Sequence, residues 1–165
     1  MRFFLMAFLP AFIFSGCRTE NDIPAVSKFE LSNYMGRWYE CARLPNWFEK
    51  DMTNVSAEYS LMDDGSVKVV NSGYKNGKLK TITGKAKYAG KNFSGELKVS
   101  FFRPFYSPYR IIKLAPDYRY SVVCSGGRKY LWVLARSEKI APEDWQEIMD
   151  FLHENNFETG KLIRQ

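Results

Sequence analysis

The stretch GRWYECARLPNWFEK, residues 36–50, decides how the rest of the chain is read. It opens with apolar and charged residues in tight alternation, the pattern of a β-strand with one dry face. Pro45 ends that pattern. Trp47 and Phe48 then stand beside Asn46 and Glu49 in what reads as a loop. Large rings are costly to leave in water, so a loop that carries two of them needs something for them to cover.

The same rhythm recurs from Gly36 to Arg136. Eight β-prone segments succeed one another at 37–44, 55–61, 67–74, 79–88, 95–102, 109–114, 118–124 and 130–136. Turn signals separate them: Asp64-Gly65, Asn76-Gly77, Gly90, Pro104 and Pro108, Pro116-Asp117, and Gly126-Gly127. Asp-Gly and Asn-Gly between alternating segments are hairpin signals. Eight even segments joined by tight turns predict an all-β fold, an eight-stranded up-and-down antiparallel meander. Such a sheet removes its edges by closing into a β-barrel.

One helix comes after the last segment. Pro142 suits a first helical position, and Glu143 and Asp144 place negative charge in the first turn. Trp145, Ile148, Met149 and Leu152 recur at helical spacing, and Asn155-Asn156 end the pattern. The outside of the barrel is the surface available to this C-terminal α-helix.

Alternation assigns an inward set. It contains Val55, Ala57 and Tyr59, then Val69, then Ile82, Gly84 and Ala86, then Leu97, Val99 and Phe101, and Trp132 with Leu134. Ala42 is expected among the small inward residues. An eight-stranded barrel is about wide enough for one small ligand if its side chains leave room. Small residues could equally fit the taper of a filled barrel. The loops after odd-numbered strands share one end, so Trp47, Phe48, Phe102, Phe105 and Tyr106 are expected around a mouth. The phase of 109–114 stays open. If Arg110 faces inward it could meet a carboxylate or phosphate; otherwise it is a solvated surface charge. Glu40 falls on the inward side and would need a partner.

The N-terminus reads differently. Residues 1–16 have a basic Arg2, an apolar run from Phe3 to Phe14, and small Ser15 and Gly16 before Cys17, the form of a signal peptide. FSGC, residues 14–17, resembles the lipobox of bacterial lipoproteins, although Phe14 stands where Leu is usual. That resemblance implies lipidation of Cys17 as the first residue of the mature chain. Arg18, rather than Asp, implies the outer membrane by the same resemblance. Residues 17–34 are polar and read as a lipidated tether. The whole chain carries +6; losing Arg2 with the signal leaves +5, which suits a neighbour of anionic lipid. Cys41 and Cys124 then remain, as a disulfide or as two buried thiols.

Three separated motifs carry a family resemblance. Gly36-Arg37-Trp38-Tyr39 resembles the G-x-W motif of lipocalins. Asp117-Tyr118 resembles their second motif, with Pro116 in place of its Thr, and Arg136 matches the third. ARLPNWFEK, KVSFFRPFY and YLWVLAR are similar to bacterial outer-membrane lipoprotein lipocalins, relatives of apolipoprotein D. The resemblance implies a lipocalin domain over 35–165, with Arg136 packed on Trp38 to close the base. It implies a carrier of fatty acids or lysophospholipids, tied to membrane maintenance, with Val55, Ala57, Tyr59, Val69, Ile82, Leu97, Val99, Phe101, Trp132 and Leu134 lining the pocket.

Other functions find little support. The one histidine, His153, lies on the helix, no G-x-S-x-G occurs, and metal ligands of the usual types are missing, so neither an enzyme nor a metal site is expected. A small basic barrel with exposed rings could bind single-stranded nucleic acid, but an exported chain rarely meets any. A structural envelope lipoprotein with a filled barrel remains the alternative. No cofactor is expected, and oligomeric state is not legible.

Overall fold

The computed structural model describes residues 23–90 and 93–165. The expected signal peptide and Cys17 lie outside the described residues. Eight strands close the wall: β1 Gly36–Arg43, β2 Met52–Leu61, β3 Val67–Lys75, β4 Lys78–Tyr88, β5 Glu96–Phe102, β6 Phe105–Leu114, β7 Tyr120–Ser125 and β8 Tyr130–Ala135. Each pairs antiparallel with the next, and β1 pairs with both β8 and β2 to close the barrel. The Asn76-Gly77 signal becomes a two-residue turn between Lys75 and Lys78, with positive φ at both residues.

Four departures from the expected pattern position the site. First, residues 23–34, expected as tether, are packed onto the barrel. Val26 donates its N–H to Ile111 O and accepts from Gly95 N–H. Phe29 is buried, and the short helix α1, Leu31–Tyr34, buries Tyr34 in the barrel floor. Second, β6 begins at Phe105 rather than at 109 and runs through Pro108. It pairs with β7 only from Arg110 onward, so at Pro108 the strand has a neighbour on one side alone. Third, a ninth strand, Ile163–Arg164, pairs with β1 at Ala42 and Arg43, past the end of the β1–β2 pairing. Gln165 completes that repair: its N–H reaches Cys41 O, and its side chain accepts from Asn54 N–H.

The fourth departure is a pair of bulges. The register of β1 against β8 shifts between Glu40 and Ala42, and that of β6 against β7 shifts between Ile111 and Lys113. Each inserts one residue and flips the phase of the strand beyond it. Ala42, expected inside, therefore faces out, and Arg43 turns in beside Glu40.

Two apolar clusters result. Inside, Trp38, Tyr59, Val67, Val69, Ala86, Leu97, Ile111, Val123 and Leu134 pack with Phe29 and Tyr34. Outside, Cys41, Ala42, Ile112, Val122, Cys124, Leu131 and Val133 receive the helix α2, Pro142–Glu154. Ile148 and Leu152 of that helix are fully buried, so the expected face is the one that packs. Arg119 locks the helix start by donating to both carboxylate oxygens of Asp144 at 2.6–3.1 Å. Cys41 and Cys124 are buried thiols rather than a disulfide pair, and burial pushes the Cys41 thiol up to about 11.

Candidate functional site: a cup with a plugged floor

The closed end is built around Trp38. The Arg136 guanidinium lies 3.9 Å from the centre of its ring. Arg136 also donates to the carbonyls of Arg37 and Asn33, at 2.9 and 2.8 Å. The indole N–H donates to Tyr34 O at 2.8 Å. Trp38 and Arg136, expected to close the base, are brought together. Asp117 and Tyr118 form the turn beside them, and Tyr118 O accepts from Arg136.

Above Trp38 lies a network of hydroxyls that the sequence did not reveal. Tyr109 joins Tyr34 and Tyr59 at 2.9 Å each, and Tyr34 reaches Ser121 at 3.2 Å. Burial pushes the Tyr34 phenol up to about 12 and holds the other two high, so all three stay neutral. Each hydroxyl finds a partner, which makes a polar layer tolerable inside the barrel. The lower half is thus filled, and Tyr59 and Leu97 belong to its floor rather than to an open wall.

The upper half is different. Asn71, Gly84, Val99, Phe101 and Trp132 all face inward, and all keep partial exposure. Ile82, also inward-facing, is 39% exposed. In a filled barrel these positions would be dry. Val55, Ala57, Val69 and Leu134, inward on the same walls, are buried. Gly84 is required here: a Cβ would lie 2.7 Å from the Phe101 ring and 2.8 Å from Ser100 O. The absent side chain lets Phe101 lie against the wall instead of across the bore.

The connection from β1 to β2 forms the lid. Glu49 turns its carboxylate inward, where it accepts from the Trp132 indole N–H at 2.9 Å. Asn46 accepts the Glu49 backbone N–H at 2.7 Å, and Arg43 donates to the carbonyls of Glu49 and Met52. Arg43 is the partner that Glu40 needed; the two are ion-paired and almost fully buried. Phe48 packs on Tyr130 and Trp132, while Trp47 stays 80% exposed.

Two expected site residues are elsewhere. Arg110 is on the outer face, opposite Glu96 on β5 and 3.9 Å from its carboxylate. Alternation between inward Tyr109 and Ile111 turns Arg110 out, and the bulge beyond Ile111 shifts the phase only after it, so that Leu114 also faces in. Tyr106 lies on the outer wall under the Lys87 and Lys98 ammonium groups, at 4.9 and 6.0 Å, and not at the mouth. Phe105 stands at the tip of the β5–β6 hairpin opposite Phe102.

The lid cluster holds two carboxylates against one guanidinium. Burial, then the nearby Glu49 charge, raise the Glu40 carboxyl to about 7 despite Arg43. A carboxyl whose folded pKa is raised contributes stability fully present below its ordinary range and lost as pH rises through about 7. Glu40→Gln is therefore expected to flatten the pH dependence of stability between about pH 5 and about pH 8, while lowering stability at both pH values because buried Arg43 loses its partner. Urea titrations at about pH 5 and about pH 8 check this; an unchanged slope between them would refute it.

A closed antiparallel barrel, sealed at one end by Trp38 and Arg136 and partly open above, is the architecture of proteins that enclose small apolar ligands. A family model described as a lipocalin-like domain matches residues 29–165. The chain belongs to the lipocalin family. It is 38% identical over 158 residues to outer membrane lipoprotein Blc of Citrobacter freundii, covering 93% of this chain and 89% of that one. It is 33% identical over 149 residues to apolipoprotein D of Rattus norvegicus, covering 84% and 77%. The solved structure of insecticyanin from the tobacco hornworm Manduca sexta shares the fold, with TM-score 0.73, 21% identity and coverage of 87% and 84%.

Proposed function

We propose that this lipocalin binds a single-tailed amphiphile, a fatty acid or lysophospholipid, in the upper half of the barrel. The observation that carries this is the set of inward apolar residues left partly exposed above a filled floor. An alkyl tail would cover Val99, Phe101, Ile82 and Trp132. Its head would lie near the lid, where Arg43 Nε, 4.0 Å from the Glu49 carboxylate, is buried without a hydrogen-bond partner; Asn71 Oδ1, further down the bore, also lacks one. Each such group costs stability until it is satisfied. The cup is shallow, because the tyrosine layer stops it, so a tail shorter than the barrel fits best.

The resemblance at FSGC and the name of the Citrobacter relative support a lipoprotein anchored through Cys17 in the outer membrane and facing the periplasm. Storage or transport of lipids for membrane maintenance is the role that fits such a place. The barrel binds without catalysis, so lipid recovered from it is chemically unchanged. A fluorescent fatty acid is expected to bind and to be displaced by oleate or lysophospholipid. No displacement would favour the filled structural barrel. Cys17→Ser is expected to move the protein from the membrane fraction to the soluble periplasm; continued sedimentation with membranes would refute the anchor.

A further inference from the structure

The mouth of the barrel combines exposed rings with unbalanced charge. Trp47, Phe102 and Phe105 are 80%, 73% and 77% exposed, on the β1–β2 loop and the β5–β6 tip. These two connections stand on opposite sides of the rim, and the β3–β4 tip between them exposes Tyr74 and Leu79, so bare apolar groups run along one side of the mouth as a surface rather than as scattered residues. The connections at this end also carry Lys50, Lys75, Lys78, Arg103, Arg128 and Lys129. Only Glu49 and Asp51 oppose them, and the Glu49 carboxylate is turned inward onto Trp132. Among the described residues none of these six cations is held in a salt bridge.

The opposite end has no such bias. Its turns carry Asp63, Asp64, Asp117 and Glu138 together with Arg119, Arg136 and Lys139, so the two signs nearly balance. Its Arg119 is held by Asp117 and Asp144, and its Arg136 lies on Trp38. Charge is therefore polarised along the barrel axis, with the positive pole where the rings are bare.

We propose that the mouth docks on an anionic lipid surface, with Trp47, Phe102 and Phe105 seated among the headgroups and the surrounding lysines and arginines against lipid phosphates. Rings with bare apolar faces favour the headgroup region, and cations near an anionic surface add attraction that salt screens. A second copy of the chain fits the rim less well, since two positive rims would repel. Docking brings the cup to the surface that holds its amphiphile. The inference rests on the lipid-binding reading for its purpose but not for its test.

The chain enters the fold at the closed end, where Val26 is bonded between Gly95 and Ile111. Rim docking can thus be measured without the proposed anchor. Every barrel element lies within 23–165, so the chain from residue 18 onward is used. It is expected to cosediment with vesicles of phosphatidylcholine and phosphatidylglycerol, and to leave them as salt rises. Phosphatidylcholine vesicles should bind it weakly. Phe102→Ser with Phe105→Ser is expected to cut vesicle affinity at least about tenfold. Lys75→Glu with Lys78→Glu should cut it by a similar factor on anionic vesicles alone. Lys139→Glu, at the closed end, should change it by less than about twofold.

Equal binding to both vesicle types, no binding, or an equal loss from Lys139→Glu would overturn the proposal. So would a dimer in solution that buries Trp47 and is broken by the Phe102 and Phe105 changes. Binding of a fluorescent fatty acid in vesicle-free solution reads the cup separately. The rim variants are expected to leave it unchanged, so failure of docking and failure of the cup give different results.

Discussion

Replacing Trp38 by alanine is expected to cost about 3–5 kcal/mol of stability, the range for truncating a buried Trp. The residue has no exposed surface, and three structural elements converge on it. Its indole holds Tyr34 O, and through that contact the α1 helix. Its ring carries Arg136, which ties the end of β8 to the Arg37 and Asn33 carbonyls. Tyr34 stacks on it at 4.6 Å and is itself part of the tyrosine layer. Removing the ring therefore leaves a cavity at the floor and loosens the seal. The thermal midpoint should fall by roughly 10 °C. A fall of only a degree or two would mean that the closed end is held by something other than Trp38. Arg136→Ala should cost less, because the cation removes little area from water and its carbonyl partners can turn to solvent.

The second large effect is on binding. Trp132→Glu is expected to lower affinity for a fluorescent fatty acid at least about tenfold. Trp132 faces inward beneath the lid, partly exposed to the bore, with Phe48 and Tyr130 against it. A glutamate there removes apolar wall and sets a third carboxylate beside Glu49 and Glu40. Trp132→Phe keeps a ring and loses only the N–H that Glu49 accepts, so its cost should be about 1 kcal/mol. Fluorescence titration of both variants decides the matter. Equal affinity in the glutamate variant and wild type would place the ligand elsewhere. Circular dichroism of the variants separates lost binding from lost fold.

Much of the fold was legible because alternation leaves a direct trace. The walls at 55–59, 67–71 and 82–86 face as their period says, and Asn76-Gly77 turns where it should. Trp38 and Arg136 could be paired across 98 positions because a closed barrel must join its first and last strands. Other features left no periodic mark. A bulge adds one residue without changing composition, so nothing in YECAR showed that Ala42 turns out and Arg43 in. The second bulge is why 109–114 gave two phases, and why Arg110 could be drawn on either face. The stretch 23–34 looked like a tether since its apolar residues are sparse. It folds because Phe29 and Tyr34 find a floor made by strands far away in sequence. Tyr106 was placed by a loop that proved to be strand, where its parity sends it outward.

The cup itself was only partly legible. Small inward residues pointed to room, but the tyrosine layer depends on three hydroxyls from α1, β2 and β6 meeting in space. Its consequence is a floor halfway down. Everything functional then turns on whether the upper half takes up a lipid. Mass spectrometry of the organic extract from natively purified protein measures this directly. A fatty acid or lysophospholipid near one per chain in wild type, and much reduced in Trp132→Glu, is the expected result. An extract with no lipid, or the same lipid at the same level in both proteins, would contradict it.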